Sequence, residues 1–334
     1  MWLWIVLSIL AAVAGLVGAL LFRPVSYRVS RSTRVKRPVE EVFAFLQDFS
    51  LWREWSPWLC TEPKAKVQIS GGGKKVGASY SWEGEVVGQG HLRHAQQKAP
   101  EILEMDLRFL KPYKSKARTG FKLATDGDGA SVTWRMEGTL PFFIRERMSA
   151  WIGSDYERGL RMLKERMETG RVTSESKVEG LQARSALFYV GLEKTCPLSS
   201  MGPSLQGAMR EVATWLERSE FSGLGPPFTL YRKFDPVAKE CAYVVCLPVP
   251  AIIPAGKLPG GYGSGELPDH QAFSVTHRGS YVHLGNAWAT GMAWLKAGKH
   301  KQRKDLAPYE VYLDDPEQVK EERLRTQVVF PVAL

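Results

Sequence analysis

An internal repeat in the C-terminal half of this 334-residue chain limits the folds that the chain can adopt. The first copy, residues 227–249, contains PFTLYRKFDP and then ECAYVVCLPV. The second copy, residues 308–332, contains PYEVYLDDP and then RTQVVFPV, so that Tyr231 matches Tyr312. A duplicated unit of this kind predicts a cleft between its two halves.

A further strand and a helix precede each copy of the repeat. The strands are predicted at about 186–195 and 270–279, and the helices at about 203–218 and 284–297. Both helices carry apolar residues at steps of three and four, the spacing of one helix face: Leu205, Met209, Val212 and Leu216, then Leu284, Trp288, Met292 and Leu295. Each half is therefore predicted as βαββ. Because each helix has a single apolar stripe to bury, we expect helices on one face of the sheet and an open face opposite.

Glu310 stands on a predicted strand of the second copy, beside aromatic residues. Side chains alternate along a strand, so Tyr309 and Val311 share one face with Leu313, while Glu310 shares the other with Tyr312. We expect the apolar set to lie under the helices. Glu310 is then either a solvated strand glutamate or, with Tyr312 and Tyr231, part of an aromatic pocket.

A carboxylate in an aromatic pocket has two possible chemistries. Ring faces attract positive charge, and a partly desolvated carboxylate gains from a cationic partner, so the pocket could hold an organic cation. Low-dielectric surroundings could instead raise the pKa of the acid and make it a general base for water. The residues alone do not separate a binding protein from a hydrolase.

The C-terminal part of the chain resembles the GyrI-like effector-binding domain, also found in multidrug-responsive transcription regulators. The resemblance covers residues 184–334 and rests on LYRKFDP, ECAYVVCLPV, THRGSYVHLGNAW, PYEVYLDDP and TQVVFPV. It implies that Glu310 lies centrally in a ligand groove, with aromatic positions at Tyr231, Tyr281, Trp288 and Tyr312. Some members resemble hydrolases of cyclopropane-containing compounds that use this glutamate. Trp288 also falls on the apolar helix stripe, so core packing remains an alternative role for it.

The N-terminal segment predicts a membrane anchor over residues 1–23. Residues 2–22 contain no charged side chain and are long enough to cross the ~30 Å hydrocarbon layer as a helix. Six basic residues and no acidic residue follow between 23 and 37, which favours a cytoplasmic location at an inner membrane. We expect residues 2–37 to contact membrane lipid. No helix-turn-helix or zinc-finger pattern occurs, so no nucleic-acid partner is expected.

Cysteine and histidine spacing predicts neither disulfides nor a metal site. The four cysteines, Cys60, Cys196, Cys241 and Cys246, form no CxxC pair and are expected to be free thiols in a reducing compartment. The histidines at 270, 277 and 283 lack a metal-ligand spacing. No cofactor is predicted.

Residues 24–169 predict a separate domain, followed by a polar linker at 170–183. A short helix after Pro38, a run of strands and a long helix at about 144–169 describe a helix-grip fold. With DFSLWREWSPW, GASYSWEGE and SVTWRMEG, the segment resembles the SRPBCC or START-like superfamily in its polyketide cyclase-like branch. Its aromatic residues either fill the core or line a cavity for an apolar ligand: Trp52, Trp55, Trp58, Tyr80, Trp82 and Trp134.

Together, the sequence predicts an α+β protein with one transmembrane helix, a START-like domain and a duplicated βαββ domain at 184–334. The predicted function is membrane-anchored cytoplasmic capture of an amphipathic, cationic or xenobiotic small molecule at Glu310. One alternative is a hydrolase that detoxifies a reactive cyclopropane-type compound with Glu310 as general base. Another is a sensor or assembly factor at the membrane.

Overall fold

The structure, a computed structural model, describes residues 2–333, without the side chains at positions 3, 9, 12 and 14. The chain divides into two compact units. The first unit comprises Met1–Glu54, Lys66–Glu83 and Gly88–Gly170. The second unit comprises Arg171–Leu334 together with Trp55–Ala65 and Gly84–Val87. The mixed helix and strand content with two antiparallel sheets confirms the predicted α+β class.

The first unit is a seven-stranded antiparallel sheet with three helices. In sheet order its strands are β1 (Pro24–Val35), β7 (Gly129–Pro141), β6 (Ser115–Asp126), β5 (Ile102–Lys111), β4 (Gln89–Lys98), β3 (Ser79–Glu83) and β2 (Lys66–Ser70). The helices are α1 (Trp2–Phe22), α2 (Val39–Gln47) and α3 (Arg145–Thr169). The short α2 and the long closing α3 are those that the apolar spacing predicted.

The predicted transmembrane anchor is not supported. Helix α1 has the predicted bounds. Among the described side chains, however, no helix combines the length and the apolar character of a membrane span.

The basic segment between 23 and 37 is mostly strand β1. Arg28 pairs with Glu137 at 3.1 Å, and Arg31 and Arg34 form ion pairs with Glu157 and Asp128. These acids come from β7, α3 and the β6–β7 turn, which are distant in sequence. A count of charges along the sequence therefore missed the acidic residues that pair with these arginines. Lipid contact by residues 2–37 is not shown.

The second unit is an eight-stranded antiparallel sheet with two helices. In sheet order its strands are β12 (Tyr262–Leu267), β9 (Leu187–Pro197), β11 (Glu240–Val249), β10 (Phe228–Asp235), β14 (Tyr309–Tyr312), β15 (Arg325–Pro331), β13 (His270–Gly279) and β8 (Ser174–Arg184). The helices are α4 (Met201–Arg218) and α5 (Gly285–Ala297). The orders β9-α4-β10-β11 and β13-α5-β14-β15 show the predicted pair of βαββ units, joined side by side through β10 and β14.

The segment 170–183, predicted as a linker, forms most of strand β8, which pairs with β13 over its whole length. Its composition is polar because it is an edge strand, and backbone hydrogen bonds hold it in the sheet. Polarity alone does not distinguish an edge strand from a linker.

The helices cover the face of this sheet opposite to the one that was predicted. Glu310 pairs with Val328, which packs against Leu284, Ala287 and Leu295 of the α5 region. The carboxylate therefore lies on the helix face. Tyr309 and Val311 lie on the other face, in a second apolar cluster with Phe228, Leu230, Val244 and Val329. The expected open face thus carries a core of its own, and Leu313 is 39% exposed.

Candidate functional site: a buried carboxylate at the repeat junction

The candidate site lies where the two repeats meet. Strands β10 and β14 pair so that Thr229 stands directly opposite Glu310. The backbone N–H of Tyr231 donates to Pro308 O at 2.9 Å, and that of Tyr312 donates to Pro227 O at 3.0 Å. These reciprocal bonds relate the two copies by approximate twofold symmetry. Thr229 therefore holds the position in the first copy that Glu310 holds in the second, and the site has one carboxylate instead of two.

Three neutral groups donate hydrogen bonds to the Glu310 carboxylate. Tyr231 Oη donates to Oε2 at 2.7 Å, and Tyr312 Oη donates to the same oxygen at 2.8 Å. From helix α5, Trp288 Nε1 donates to Oε1 at 2.5 Å. Glu310 is only 3% exposed. Within the described part of the chain, no Lys, Arg or His forms an ion pair with this carboxylate.

The rings around the carboxylate also pack on one another. Tyr231 and Trp288 meet edge to face with centroids 5.1 Å apart, and Trp288 meets Phe330 in the same way at 5.2 Å. The Trp288 ring packs in the core while its N–H faces Glu310, and contact of Trp288 with a ligand stays a prediction. Phe330 was not predicted from the sequence, since it falls in an ordinary apolar strand.

Tyr281 stands at the edge of the site. Its ring lies perpendicular to that of Tyr312 with centroids 6.0 Å apart, and its side chain remains 37% exposed. The turn that carries it depends on Gly279, whose φ of +132° brings its backbone against β8. A Cβ at Gly279 would lie 2.0 Å from Thr173 O. Glycine at this position therefore allows the chain to turn and place Tyr281 over the rings.

Burial controls the protonation of the site. It raises the pKa of Glu310 above its ordinary value, and the bonds from Trp288, Tyr231 and Tyr312 oppose this rise. Burial, followed by the charge of Glu310, raises the pKa of Tyr231 and of Tyr312 well above 10. The pKa of Tyr281 also rises, from burial first and the same charge second. Both donor phenols therefore stay protonated at any physiological pH.

The hydrogen bonds leave one acceptor position on the carboxylate. An ionised carboxylate accepts about four hydrogen bonds, and three are present here. Two are on Oε2 and one is on Oε1, so the remaining lone pair belongs to Oε1. That oxygen is the atom at which a proton, a donor or a cation can bind.

The other polar residues singled out in the sequence do not gather at this site. His270 Nε2 lies 3.1 Å from Tyr309 Oη on the opposite sheet face, and His277 Nε2 lies 3.0 Å from Ser280 O. In the described part of the chain, none of the four cysteines forms a disulfide. Residues 2–333, as far as they are described, contain no group of three potential metal ligands. Thr229 was missed, although an alignment of PFTLY with PYEVY places it opposite Glu310.

The aromatic residues of the first unit form a packed core. Trp134 stacks on Tyr156 with ring centroids 4.0 Å apart, and both side chains are buried. Thr119 Oγ1 lies 2.8 Å from Tyr156 Oη and accepts from Trp134 Nε1 at 3.2 Å. Trp52 and Tyr80 are buried nearby. These contacts favour the packing interpretation of the aromatic set.

Family comparisons cover both domains. The model described as GyrI-like small molecule binding domain matches residues 184–333. The model described as polyketide cyclase / dehydrase and lipid transport matches residues 26–168. These matches support the two-domain architecture, with the second domain similar to GyrI-like small-molecule-binding domains. A comparison with curated proteins found no match.

Three solved structures illustrate the likeness. An EcmrR–DNA complex is 19% identical with a TM-score of 0.41, and the match covers 56% of this chain and 66% of that chain. SAV2435 bound to tetraphenylphosphonium is 15% identical with a TM-score of 0.37, covering 47% and 94%. The Aha1 dimer from Colwellia psychrerythraea is 14% identical with a TM-score of 0.34, covering 43% and 98%. The lack of a nucleic-acid partner stays a prediction.

Proposed function

We propose that the GyrI-like domain binds an amphipathic organic cation, with Glu310 as the charged contact and Tyr231, Tyr281, Trp288 and Tyr312 as the aromatic contacts. One observation carries this proposal. A carboxylate that is 3% exposed receives hydrogen bonds only from neutral groups and has no cationic partner among the described residues.

A buried charge without a counter-charge is unfavourable, and a group in this position neutralises itself by taking up a proton or by acquiring a cation. The raised pKa of Glu310 reflects the first route. A ligand that brings positive charge to Oε1 supplies the second.

The surrounding rings select the kind of cation. Ring faces and edges offer a large apolar area with a negative electrostatic face, which suits a cation whose charge is spread over an apolar body. A small, strongly hydrated ion would lose its water without gaining equivalent contacts. The two edge-to-face pairs and the partly exposed Tyr281 mark the rings that must shift to admit such a ligand.

The direct test is titration of the purified full-length protein with tetraphenylphosphonium, followed by calorimetry or tryptophan fluorescence. A charge-assisted contact contributes about 1.5–3 kcal/mol, so we expect Glu310→Gln to weaken binding about 10- to 100-fold. Triphenylphosphine oxide is the neutral control ligand, and its affinity should change little. Glu217→Gln, at an exposed carboxylate on α4, is the matched control variant. Equal affinity of the wild type and Glu310→Gln for the cation would reject the charge role.

A second function, general-base hydrolysis of a reactive cyclopropane-type compound, is favoured by the raised pKa of Glu310 and by the unused lone pair on Oε1. A raised pKa lies closer to neutral pH, and a general base is most effective when its pKa is near the working pH. Turnover of an electrophilic cyclopropane substrate by the wild type, lost in Glu310→Gln, would support this function. Binding of tetraphenylphosphonium without any turnover would favour capture.

A further inference from the structure

A row of polar side chains crosses the sheet next to the carboxylate. Thr326 of β15 pairs with Tyr312 on one side and with His277 of β13 on the other, and His277 pairs with Ser176 of β8. Directly paired residues project to the same sheet face. Ser176, His277, Thr326 and Tyr312 therefore form one row, here called the polar row.

The neighbouring row shows that this composition is unusual. Two residues along each strand, Glu310 pairs with Val328, Val328 with Val275, and Val275 with Val178. These three valines pack beneath the α5 region. The polar row lies on the same helix face, yet it carries two hydroxyls and an imidazole at the corresponding positions.

Ser176 Oγ and His277 Nδ1 of this row are buried without a hydrogen-bond partner, and the Thr326 hydroxyl faces the side chain of Tyr281. His277 is 0% exposed and Thr326 is 1% exposed. Burial of polar atoms without partners is unfavourable, and native proteins satisfy nearly all of them. A molecule that bonds to these atoms would remove the penalty.

The unpaired atoms are complementary to one another. Burial lowers the pKa of His277 to about 4, so the imidazole is neutral. Its Nε2–H donates to Ser280 O at 3.0 Å, which leaves Nδ1 as an acceptor. Thr326 and Ser176 each have a hydroxyl that can donate. One acceptor between two hydroxyls fits a group that both donates and accepts, such as an alcohol or an amide.

The polar row joins the carboxylate site through two rings. Tyr312 belongs to the row and donates to Glu310. Tyr281, partly exposed, contacts the Tyr312 ring, and the Thr326 side chain offsets part of the rise in its pKa. Thr326 is the diagonal neighbour of Glu310 across β14 and β15, at about 7–8 Å, and His277 and Ser176 lie one and two strands further away.

We propose that the polar row is a second subsite of the ligand groove, in which Thr326, His277 and Ser176 bind an uncharged hydroxyl or amide of the ligand whose cationic centre faces Glu310. This inference rests on the proposed cation binding. It narrows the ligand class to organic cations that carry a neutral hydrogen-bonding group at least about 7–8 Å from the charge.

The test compares two ligands that differ by one hydroxyl, butyltriphenylphosphonium and (4-hydroxybutyl)triphenylphosphonium, on the full-length protein. One neutral hydrogen bond corresponds to about fivefold in affinity, so we expect the hydroxylated ligand to bind about fivefold more tightly or better. Thr326→Val should bring the ratio of the two affinities close to one, and Ser176→Ala should reduce it. Thr276→Val, which faces the other side of β13, is the control and should keep the wild-type ratio.

The outcomes separate the two proposals. If the wild type binds both ligands with equal affinity, the polar subsite is wrong while cation binding stands. If Thr326→Val and Ser176→Ala retain the full hydroxyl advantage with unchanged melting temperature, the row does not contact the hydroxyl and the inference also fails. If neither cation binds, both proposals fall.

Discussion

Thr229 and Glu310 face each other across β10 and β14 at equivalent positions of the two repeats. The repeat has thus retained two phenols that converge on the junction, Tyr231 and Tyr312, but only one carboxylate. A single acid at a symmetric junction allows full donation by both phenols to one oxygen. Two acids at this position would repel each other in a buried environment.

This relationship predicts the effect of restoring symmetry. Thr229→Glu adds a second carboxylate directly opposite Glu310, with the Cβ atoms of the two residues about 5 Å apart. We expect the variant to be less stable than the wild type by about 2 kcal/mol or more near neutral pH, and to regain stability at lower pH as one acid takes up a proton. Urea unfolding at two pH values measures this. Thr229→Val, which loses only the contact of Oγ1 with Tyr312 Oη at 3.1 Å, is the control and should show no such recovery.

Glu310 should make stability depend on pH. Its folded-state pKa is raised, so the native protein holds this proton more tightly than the unfolded chain does. The associated stabilisation is fully present below the ordinary glutamate pKa and is lost as pH rises through the folded-state value. The unfolding free energy of the wild type should therefore fall relative to that of Glu310→Gln as pH rises from acid to neutral. Parallel curves would contradict a raised pKa.

Trp288→Phe should separate packing from hydrogen bonding. Phenylalanine retains ring contact with Tyr231 and Phe330 but removes the N–H donor to Oε1. Loss of a donor to a carboxylate costs about 1.5–3 kcal/mol and raises the pKa of the acid further. As the solution is acidified, we expect Trp288→Phe to lose affinity for tetraphenylphosphonium at a higher pH than the wild type does. Affinity against pH in both proteins is the measurement, and coincident profiles would exclude the donor role.

The core of the first unit should be sensitive to Thr119. Thr119→Val removes the oxygen that accepts from Trp134 Nε1 and bonds to Tyr156 Oη, so two buried hydrogen bonds are lost. A hydrogen bond contributes about 0.5–1.5 kcal/mol to stability, so we expect a cost of about 1–3 kcal/mol. Tyr156→Phe removes one hydroxyl and should cost less. The measurement is the free energy of unfolding of both variants, and we expect Thr119→Val to be the less stable. A less stable Tyr156→Phe would show that Thr119 is not the centre of this network.

Much of the second domain could be predicted from the chain itself. The spacing of Leu205 to Leu216 and of Leu284 to Leu295 gave the helices, and the repeated PFTLY and PYEVY gave the paired central strands. These features are local, because one helix face or one strand face is a matter of residue spacing. The proximity of Glu310 to Tyr231, Trp288 and Tyr312 followed from the repeat and from the family resemblance, while their roles in binding remain predictions.

The βαββ duplication and the shared strand face of Glu310 and Tyr312 follow from the order of residues alone. Which face the helices cover depends on tertiary packing. Tyr309 and Val311 were expected beneath them, but these residues bury themselves in a second cluster, and α5 instead brings the Trp288 donor to the carboxylate. Alternation along β14 fixes which side chains lie together, whereas the choice of face depends on the total apolar area that distant strands and helices bury together.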